Sequence, residues 1–140
     1  MSRLRVVLDT NVIVSAVINE PGFEAAILAL ALAAKIKLYV LPPILSEYEG
    51  VLARPKFRFP LAMVDAFRTR IRQPSKLVHP RCTVTASPDP RDNMFLECAE
   101  EAGADYLFTG NKKHFPKRWE TTDIVNAREL YAVIAHNLKP

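Results

Sequence analysis

The sequence has few cysteines and few glycines, and each scarcity excludes a class of protein. Its two cysteines, Cys82 and Cys98, form no CxxC motif and have no evident metal partner, so neither a zinc site nor a disulfide framework is expected. We expect both thiols to be reduced, which fits a cytoplasmic protein. The four glycines form neither a GxGxxG fingerprint nor a phosphate loop, and the GxSxG elbow of serine hydrolases is absent.

Apolar runs of membrane length are also missing. The longest run, Phe23 to Ala34, is too short to span a bilayer and carries Glu24, so we expect a buried core helix and no membrane partner. No secretory signal is evident, because the apolar run after Arg5 ends at Asp9. A hydrophobic content of 49% and a charged content of 24% are those of an ordinary globular protein, and the length fits one domain over residues 1–140.

The net charge of +4 is unevenly distributed. Between Arg54 and Lys76, seven basic residues accompany a single acidic residue, Asp65. A basic segment beside an acidic remainder suggests a polyanion held near a carboxylate site. Taken alone, such a run is more often a solvated helix face.

Strand and helix patterns alternate along the chain. Short β-branched and apolar runs predict strands at Val6–Leu8, Lys37–Leu41, Lys76–His79, Asp105–Gly110 and around Ile124. Helical periodicity and capping signals predict helices at Asn11–Ile18, Phe23–Ala34, Ile44–Arg54, Leu61–Arg72, Pro90–Ala102 and Ala127–Asn137. This alternation predicts an α/β fold with a mostly parallel sheet.

An acidic residue follows the first predicted strand directly. Val6, Val7 and Leu8 have the pattern of a strand buried on both faces, and Asp9 comes next. We expect Asp9 to emerge at the carboxyl edge of the sheet, where open α/β sheets bind ligands. Thr10 or Asn11 is expected to cap the following helix. A haloacid-dehalogenase-like phosphatase would have a second acid at the position of Asn11, so that class is disfavoured.

A second acidic residue begins a later helix. Asp89 suits the N-cap and Pro90 the first helical position, which places Asp92 in the first turn. On a helical wheel Asp92 falls within the apolar arc of Phe95 and Leu96, so it points toward the sheet. The alternative is a carboxylate that merely stabilises the helix N-terminus.

Two further positions have the same character. Glu47 and Glu49 lie at opposite margins of one apolar helix stripe, and periodicity does not choose between them. Asn111 follows the strand ending in Gly110, either as an oxygen ligand or as a turn residue. Carboxylates without cysteine or histidine ligands select Mg²⁺ or Mn²⁺. Such a site suits metal-activated attack of water on a phosphodiester, with one ion or with two ions about 3.5–4 Å apart.

Three stretches together resemble the ordered motifs of the PIN-domain family. They are VVLDTNVIVSAV, SEYEGVLARPKF and SPDPRDNMFLECAEEAGADYLFTGN, and the resemblance extends from Arg5 to about Asn137. The register of the second motif selects Glu47. The resemblance implies a three-layer α/β/α sandwich and a Mg²⁺- or Mn²⁺-dependent endoribonuclease that leaves a 5′-phosphate and a 3′-hydroxyl. It also implies the toxin of a prokaryotic toxin–antitoxin pair.

The resemblance assigns expected roles to individual residues. The catalytic set is Asp9, Glu47, Asp92 and Asn111, with the three acids as metal ligands. Asn111 stands where many members have a fourth acid, which makes a second ion doubtful. Asp89 or Asp105 is a candidate to compensate, with a structural role as the alternative for each, Asp89 as an N-cap and Asp105 at the start of a strand. The residues expected to orient the water or the metal are Asn11, Thr109 and Asp89.

The same resemblance gives the basic segments a role. The residues expected to bind RNA are Arg54, Lys56, Arg58, Lys112 and Lys113. Phe115 or Trp119 would stack on a base, with simple loop packing as the favoured alternative, and the ring of His114 would pack locally. An antitoxin or a second copy of the chain would contact Leu130 and Tyr131, unless these residues pack in the core.

Two rival functions remain from the sequence. Asn111 motivates a catalytically weak PIN domain that binds RNA or a protein. An enzyme acting on structured DNA is less favoured, because the chain is short and has no helical-arch insertion.

Overall fold

The structure is a computed structural model that describes residues 3–19 and 22–137, which form a six-stranded sheet with six α-helices. The strands are β1 (Arg5–Leu8), β2 (Lys37–Val40), β3 (Lys76–Leu77), β4 (Tyr106–Phe108), β5 (Arg118–Trp119) and β6 (Thr122–Val125). The helices are α1 (Thr10–Ile18), α2 (Phe23–Leu32), α3 (Pro42–Leu52), α4 (Leu61–Arg72), α5 (Asn93–Ala102) and α6 (Ala127–Asn137).

The sheet is mostly parallel, in the order β3-β2-β1-β4-β6-β5, and only β5 pairs antiparallel. After β3 the chain crosses back over the sheet to β4. Because such crossovers are right-handed, α5 lies on the face opposite α1 to α4, where it packs on β1, β2 and β4. The expected three-layer α/β/α sandwich is therefore confirmed.

The first strand lies at the centre of this sheet. Val6 pairs with Leu38 of β2 on one side and with Tyr106 of β4 on the other. Val6, Val7 and Leu8 have no exposed surface, as the continuous β-branched and apolar run predicts. The carboxyl end of β1 is consequently held in place by its central position in the sheet.

The expected start of α1 and the expected end of α2 are wrong. Helix α1 begins at Thr10, so the N-cap position belongs to Asp9 rather than to Thr10 or Asn11, and the Asp9 side chain makes no capping hydrogen bond. Helix α2 ends at Leu32 rather than Ala34, because Ala34 adopts a left-handed conformation with φ 59°, which ends the helical ladder.

Helix α3 starts, and helix α5 ends, where their proline and glycine residues predict. Helix α3 starts at Pro42, two residues before the expected Ile44, because proline is tolerated in a first turn. Helix α5 begins at Asn93 rather than at the expected Pro90, because Pro90–Asp92 form a 3₁₀ turn, so Asp92 is at the N-cap of α5 and not in its first turn. Gly103 ends the helix in the left-handed conformation that its C-cap position predicts.

Other expectations need correction at the sheet edges and on α4. Strand β3 has two residues instead of the expected four, and the short β5 was not expected, since its residues lack an apolar run. The pattern of α4 predicts a buried stripe that starts at Leu61. Val64 and Ile71 are buried, but Leu61 is 77% exposed because the stripe runs past the end of the core.

In the described ranges no single helix is long and apolar enough to cross a membrane. Helices α1 and α2 reach that length and composition only when taken together as a pair bent by 108°.

Candidate active site

The candidate site lies where the chain direction across the sheet reverses. From β1 the chain moves to β2 on one side, whereas β4, the other neighbour of β1, leads away to β6. The carboxyl ends of two such strands leave a crevice between their outgoing loops, which is the usual ligand position in open α/β sheets. A pocket of about 410 Å³ opens at this point. Its acidic and amide lining residues are Asp9, Asn11, Glu47, Asp89, Asp92 and Asn111.

Asp9 is the most buried acid of the pocket, with 6% of its surface exposed. The pKa of its carboxyl group is raised to about 6, chiefly by burial and also by the nearby carboxylates of Asp92 and Glu47, against a lowering hydrogen bond from Thr109. The Thr109 hydroxyl donates that bond to Asp9 Oδ2 over 2.7 Å. An ionised Asp9 is therefore costly here until a positive charge compensates it.

Thr109 and its neighbours connect the loop after β4 to the loop after β1. The Asn111 backbone N–H donates to Thr109 Oγ1 over 3.0 Å, so the threonine hydroxyl both accepts and donates a hydrogen bond. The Gly110 N–H donates to Asn11 Oδ1 over 3.3 Å. Asn11, Thr109 and Asn111, all expected at the site, thus lie beside Asp9.

Glu47 and Glu49 project to different parts of the structure. Glu47 lines the pocket and accepts a hydrogen bond from the Thr10 hydroxyl. Glu49 forms ion pairs with Arg72, at 2.9 Å, and Arg68, at 3.4 Å. Glu49 is thus occupied between α3 and α4, outside the pocket.

Tyr48, between these two glutamates, fixes α3 against the central strand. Its side chain is fully buried, and its hydroxyl donates to the backbone carbonyl of Leu8. Because Leu8 precedes Asp9, this bond ties the helix that carries Glu47 to the strand end that carries Asp9.

Asp92 contacts a histidine that the sequence did not place in the site. His114 Nδ1 lies 3.2 Å from Asp92 Oδ2, and the side-chain nitrogen of Asn111 lies 3.2 Å and 3.1 Å from the two ring nitrogens of His114. Burial raises the pKa of Asp92, and its contact with His114 opposes that rise. The ring of His114 thus packs beside Asn111, as expected, but it also contacts Asp92 of the pocket. The sequence feature that could have predicted His114 at the site is its spacing, three residues after Asn111 at the end of a 3₁₀ turn.

The sequence analysis did not predict Arg91 at the site either, although Arg91 lies between two acids of the site in the sequence. Asp89 caps the 3₁₀ turn by accepting the Arg91 backbone N–H at 3.0 Å, and the Arg91 guanidinium pairs with its carboxylate at 3.1 Å. Hydrogen bonds from Arg91 lower the pKa of Asp89. Asp89 therefore has a structural task, and Arg91 brings positive charge to the pocket wall.

The donor set fits a hard divalent cation. In residues 3–19 and 22–137 neither Asp9 nor Glu47 has a basic side chain within ion-pair distance, although Arg54 and Arg91 line the same pocket. The same residues contain no group of three or more histidine, cysteine, aspartate or glutamate side chains arranged to hold an ion directly. Mg²⁺ is commonly held by one or two carboxylates and several waters, which this pocket provides room for.

Asp105 does not belong to this site. It precedes β4 and accepts the backbone N–H of Arg5, the first residue of β1, at 2.9 Å. Both positions are at the amino ends of their strands, whereas the pocket is at the carboxyl ends. Of the two roles considered for Asp105, the structural one at the start of a strand is therefore the one present.

The basic residues expected to bind RNA are divided between two places. Arg54 lines the pocket, and Lys56 and Arg58 lie in the turn that follows it. Lys112 and Lys113 instead line a neighbouring groove, where Lys112 pairs with Glu129 at 2.8 Å. Of these five bases, Arg54 is thus the one that lines the acidic pocket.

The aromatic residues near Asn111 are used for packing. Phe115 is 8% exposed and belongs to the hydrophobic core. Trp119 packs against the core and donates its indole N–H to Glu100 over 3.1 Å. Loop packing, the favoured alternative to base stacking, is therefore the arrangement present for both rings.

Comparison with known proteins identifies the family. The family model described as "PIN domain" matches residues 5–113, a range that contains Asp9, Glu47, Asp92 and Asn111. An uncharacterized protein of Methanocaldococcus jannaschii is 34% identical over 113 residues, which cover 79% of this chain and 72% of the relative. PIN domains are generally nucleases, and the family typically uses divalent metals. The chain belongs to the PIN-domain family.

Proposed function

We propose that the protein is an endoribonuclease that hydrolyses RNA phosphodiester bonds with Mg²⁺ or Mn²⁺. The observation that carries the proposal is the convergence of Asp9, Glu47 and Asp92 on one pocket at the carboxyl ends of β1 and β4. These acids come from three separate elements, and Asp9 and Glu47 lack a basic partner among the described residues. Burial of unpaired carboxylates destabilises a fold, so their presence favours a bound cation.

In the proposed mechanism Asp9, Glu47 and Asp92 would hold the cation, in part through bound waters. A cation held there would lower the pKa of a bound water and offset charge that develops on the phosphate. Thr109 orients Asp9 through its hydroxyl, and the side chains of Asn11 and Asn111 supply polar groups for orienting the water. Arg54 and Arg91 at the pocket wall neutralise the phosphate backbone of the substrate.

A partner protein is a separate part of the proposal. The role of toxin in a toxin–antitoxin pair is inferred from the family resemblance. Leu130 is fully buried and unavailable to a partner, whereas Tyr131 is 39% exposed and its ring lies 4.9 Å from that of Phe23, which is 41% exposed. This aromatic pair is the contact that we propose for an antitoxin or a second copy of the chain.

The proposal is tested by incubating single-stranded RNA with Mn²⁺ and either the wild-type protein or Asp9→Asn. We expect the wild type to cleave and EDTA to stop it, and we expect Asp9→Asn to be inactive while it retains the circular dichroism spectrum of the wild type. Undiminished cleavage by the Asp9→Asn variant would refute the assignment.

A binding module without strong catalysis is the second candidate. The observation that favours it is Asn111, an uncharged residue whose side chain contacts His114. Calorimetric titration with Mn²⁺ separates the two candidates. Binding at micromolar to millimolar metal supports the nuclease, and no binding at millimolar metal supports the module.

A further inference from the structure

We infer that Phe57 forms a nucleobase subsite beside the acidic pocket, so that the preferred ligand is a single-stranded nucleic acid with an unpaired base next to the bound phosphate. This inference rests on the proposed nuclease function and specifies its substrate class. It assigns a role to a turn that the acid-based mechanism leaves unused.

The first support is position. Phe57 lines the same pocket as Asp9, Glu47 and Arg54. Apart from the imidazole of His114, its side chain is the aromatic ring of that lining in the part of the chain that the structure describes. A phosphate held near the acids would therefore have an apolar ring within the same pocket.

The second support is the way in which Phe57 is held. The ring of Phe59 packs against the hydrophobic core and lies nearly parallel to that of Phe57, with centroids 5.6 Å apart and an angle of 10° between their planes. Phe59, packed on the core, thus supports the Phe57 ring, and Phe57 itself lines the pocket. A half-buried aromatic in this position resembles the stacking platforms of proteins that bind single strands.

The third support is charge. The ammonium group of Lys56 lies 5.1 Å from the centroid of the Phe57 ring, a cation–π contact made by an exposed side chain. The stretch from Arg54 to Pro60 contains three bases and no acid. A base can take the place of the ammonium group on the ring while Lys56 turns to the phosphate backbone.

The turn itself has an imposed shape. Pro55 starts a 3₁₀ turn that ends at Phe57, and Pro60 closes the stretch. Arg58 between them adopts a left-handed conformation, with φ 54°, which side chains other than glycine rarely adopt. The Phe57 ring is therefore positioned before a ligand arrives, which lowers the entropy lost on binding.

A paired strand does not fit this subsite. Bases in a duplex are stacked on their neighbours and present only their edges in the grooves. An unpaired base offers a free face to an aromatic ring, and stacking of this kind tolerates every base. The subsite thus selects against duplexes and shows little preference for base identity.

Binding in EDTA tests the inference without cleavage. Fluorescence anisotropy would compare a ten-nucleotide oligouridylate with an abasic oligonucleotide of the same length. We expect Phe57→Ala to weaken oligouridylate binding about 5-fold to 100-fold and to leave abasic binding unchanged. Phe57→Trp should bind oligouridylate with about the affinity of the wild type. The fluorescence of the added tryptophan should be quenched when the oligonucleotide binds. Leu61→Ala, which removes a 77% exposed apolar side chain nearby, should match the wild type.

Three results would overturn the inference: no loss with Phe57→Ala, an equal loss on both oligonucleotides, or no binding of oligouridylate by the wild type. An equal loss would mean that Phe57 only shapes the turn. These outcomes are distinct from failure of the nuclease proposal, because Mn²⁺-dependent cleavage by the wild type and Asp9→Asn is measured separately.

Discussion

Thr109 donates its hydroxyl hydrogen to Asp9 across the boundary between β4 and β1, over 2.7 Å and 100 positions of sequence. The two strands are parallel neighbours, so residues just beyond their carboxyl ends meet. The bond fixes one carboxylate oxygen of Asp9 and leaves the other for a ligand. It also stabilises the ionised form that a cation needs.

Thr109→Val removes this bond with little change in side-chain shape. The bond lowers the pKa of Asp9, so its loss moves that pKa above the present value of about 6 and disfavours the ionised ligand. We expect Mn²⁺ affinity at pH 7 to fall about 10-fold, the effect of one hydrogen bond to a charged group. Calorimetry measures it, with Thr109→Ser as the control that keeps the hydroxyl. Unchanged affinity in Thr109→Val would remove the positioning role.

Asp9 should also make stability depend on pH when metal is absent. Its pKa is about 6 in the folded protein against an ordinary value of 3.8, so between these limits the folded state binds more protons than the unfolded state. Ionised Asp9 therefore destabilises the fold above pH 6, by up to about 3 kcal/mol, and not below pH 4. In EDTA, Asp9→Asn should be more stable than the wild type at pH 7.5, with the gain vanishing toward pH 4.

Urea unfolding at several pH values measures that difference. Asp65→Asn, which changes the same charge on an exposed side chain of α4, is the matched control and should show no such gain. If Asp9→Asn has the same stability as the wild type at every pH, the buried carboxylate is not under electrostatic strain.

Asn111→Asp should strengthen metal binding. The residue lines the pocket and contacts His114, which itself contacts Asp92, so a carboxylate there adds charge beside the proposed site. We expect a Mn²⁺ dissociation constant about fivefold lower, the effect of about 1 kcal/mol for a charge pair about 4 Å apart in water. A second bound ion is also expected. Equal affinity and stoichiometry in calorimetry would show that Asn111 faces away from the ion.

The sequence predicted the elements that depend on local patterns. The run Val6–Leu8 identified the central strand, and the order of Asp89, Pro90 and Gly103 identified the helix that carries Asp92. Strand ends also predicted which polar residues meet, because parallel strands bring their carboxyl ends together. This logic identified Asp9 and Asn111, whereas Thr109 was expected only from the family resemblance.

Other parts of the site depend on contacts that periodicity does not encode. His114 and Arg91 enter the pocket through 3₁₀ turns, whose short length leaves no repeating pattern. Phe115, for which the sequence left base stacking and loop packing open, is 8% exposed and belongs to the hydrophobic core. Asp105, expected at the start of its strand, lies at the amino edge of the sheet, where it accepts the backbone N–H of Arg5.

Glu47 and Glu49 provide the sharpest internal comparison. They are two residues apart on α3, yet Glu47 lines the pocket and Glu49 pairs with Arg68 and Arg72 outside it. Substitution of either glutamate by glutamine removes one negative charge from the same helix. If the pocket is the active site, Glu47→Gln should therefore lose activity and Glu49→Gln should keep it, although the two substitutions are chemically identical.

The most direct measurement is Mn²⁺-dependent cleavage of one single-stranded RNA by the wild type, Glu47→Gln and Glu49→Gln at equal concentration. We predict that Glu49→Gln cleaves within about twofold of the wild type, whereas Glu47→Gln loses at least about 100-fold, the usual effect of removing a group that stabilises transition-state charge. Cleavage by Glu47→Gln at the rate of Glu49→Gln would contradict the account.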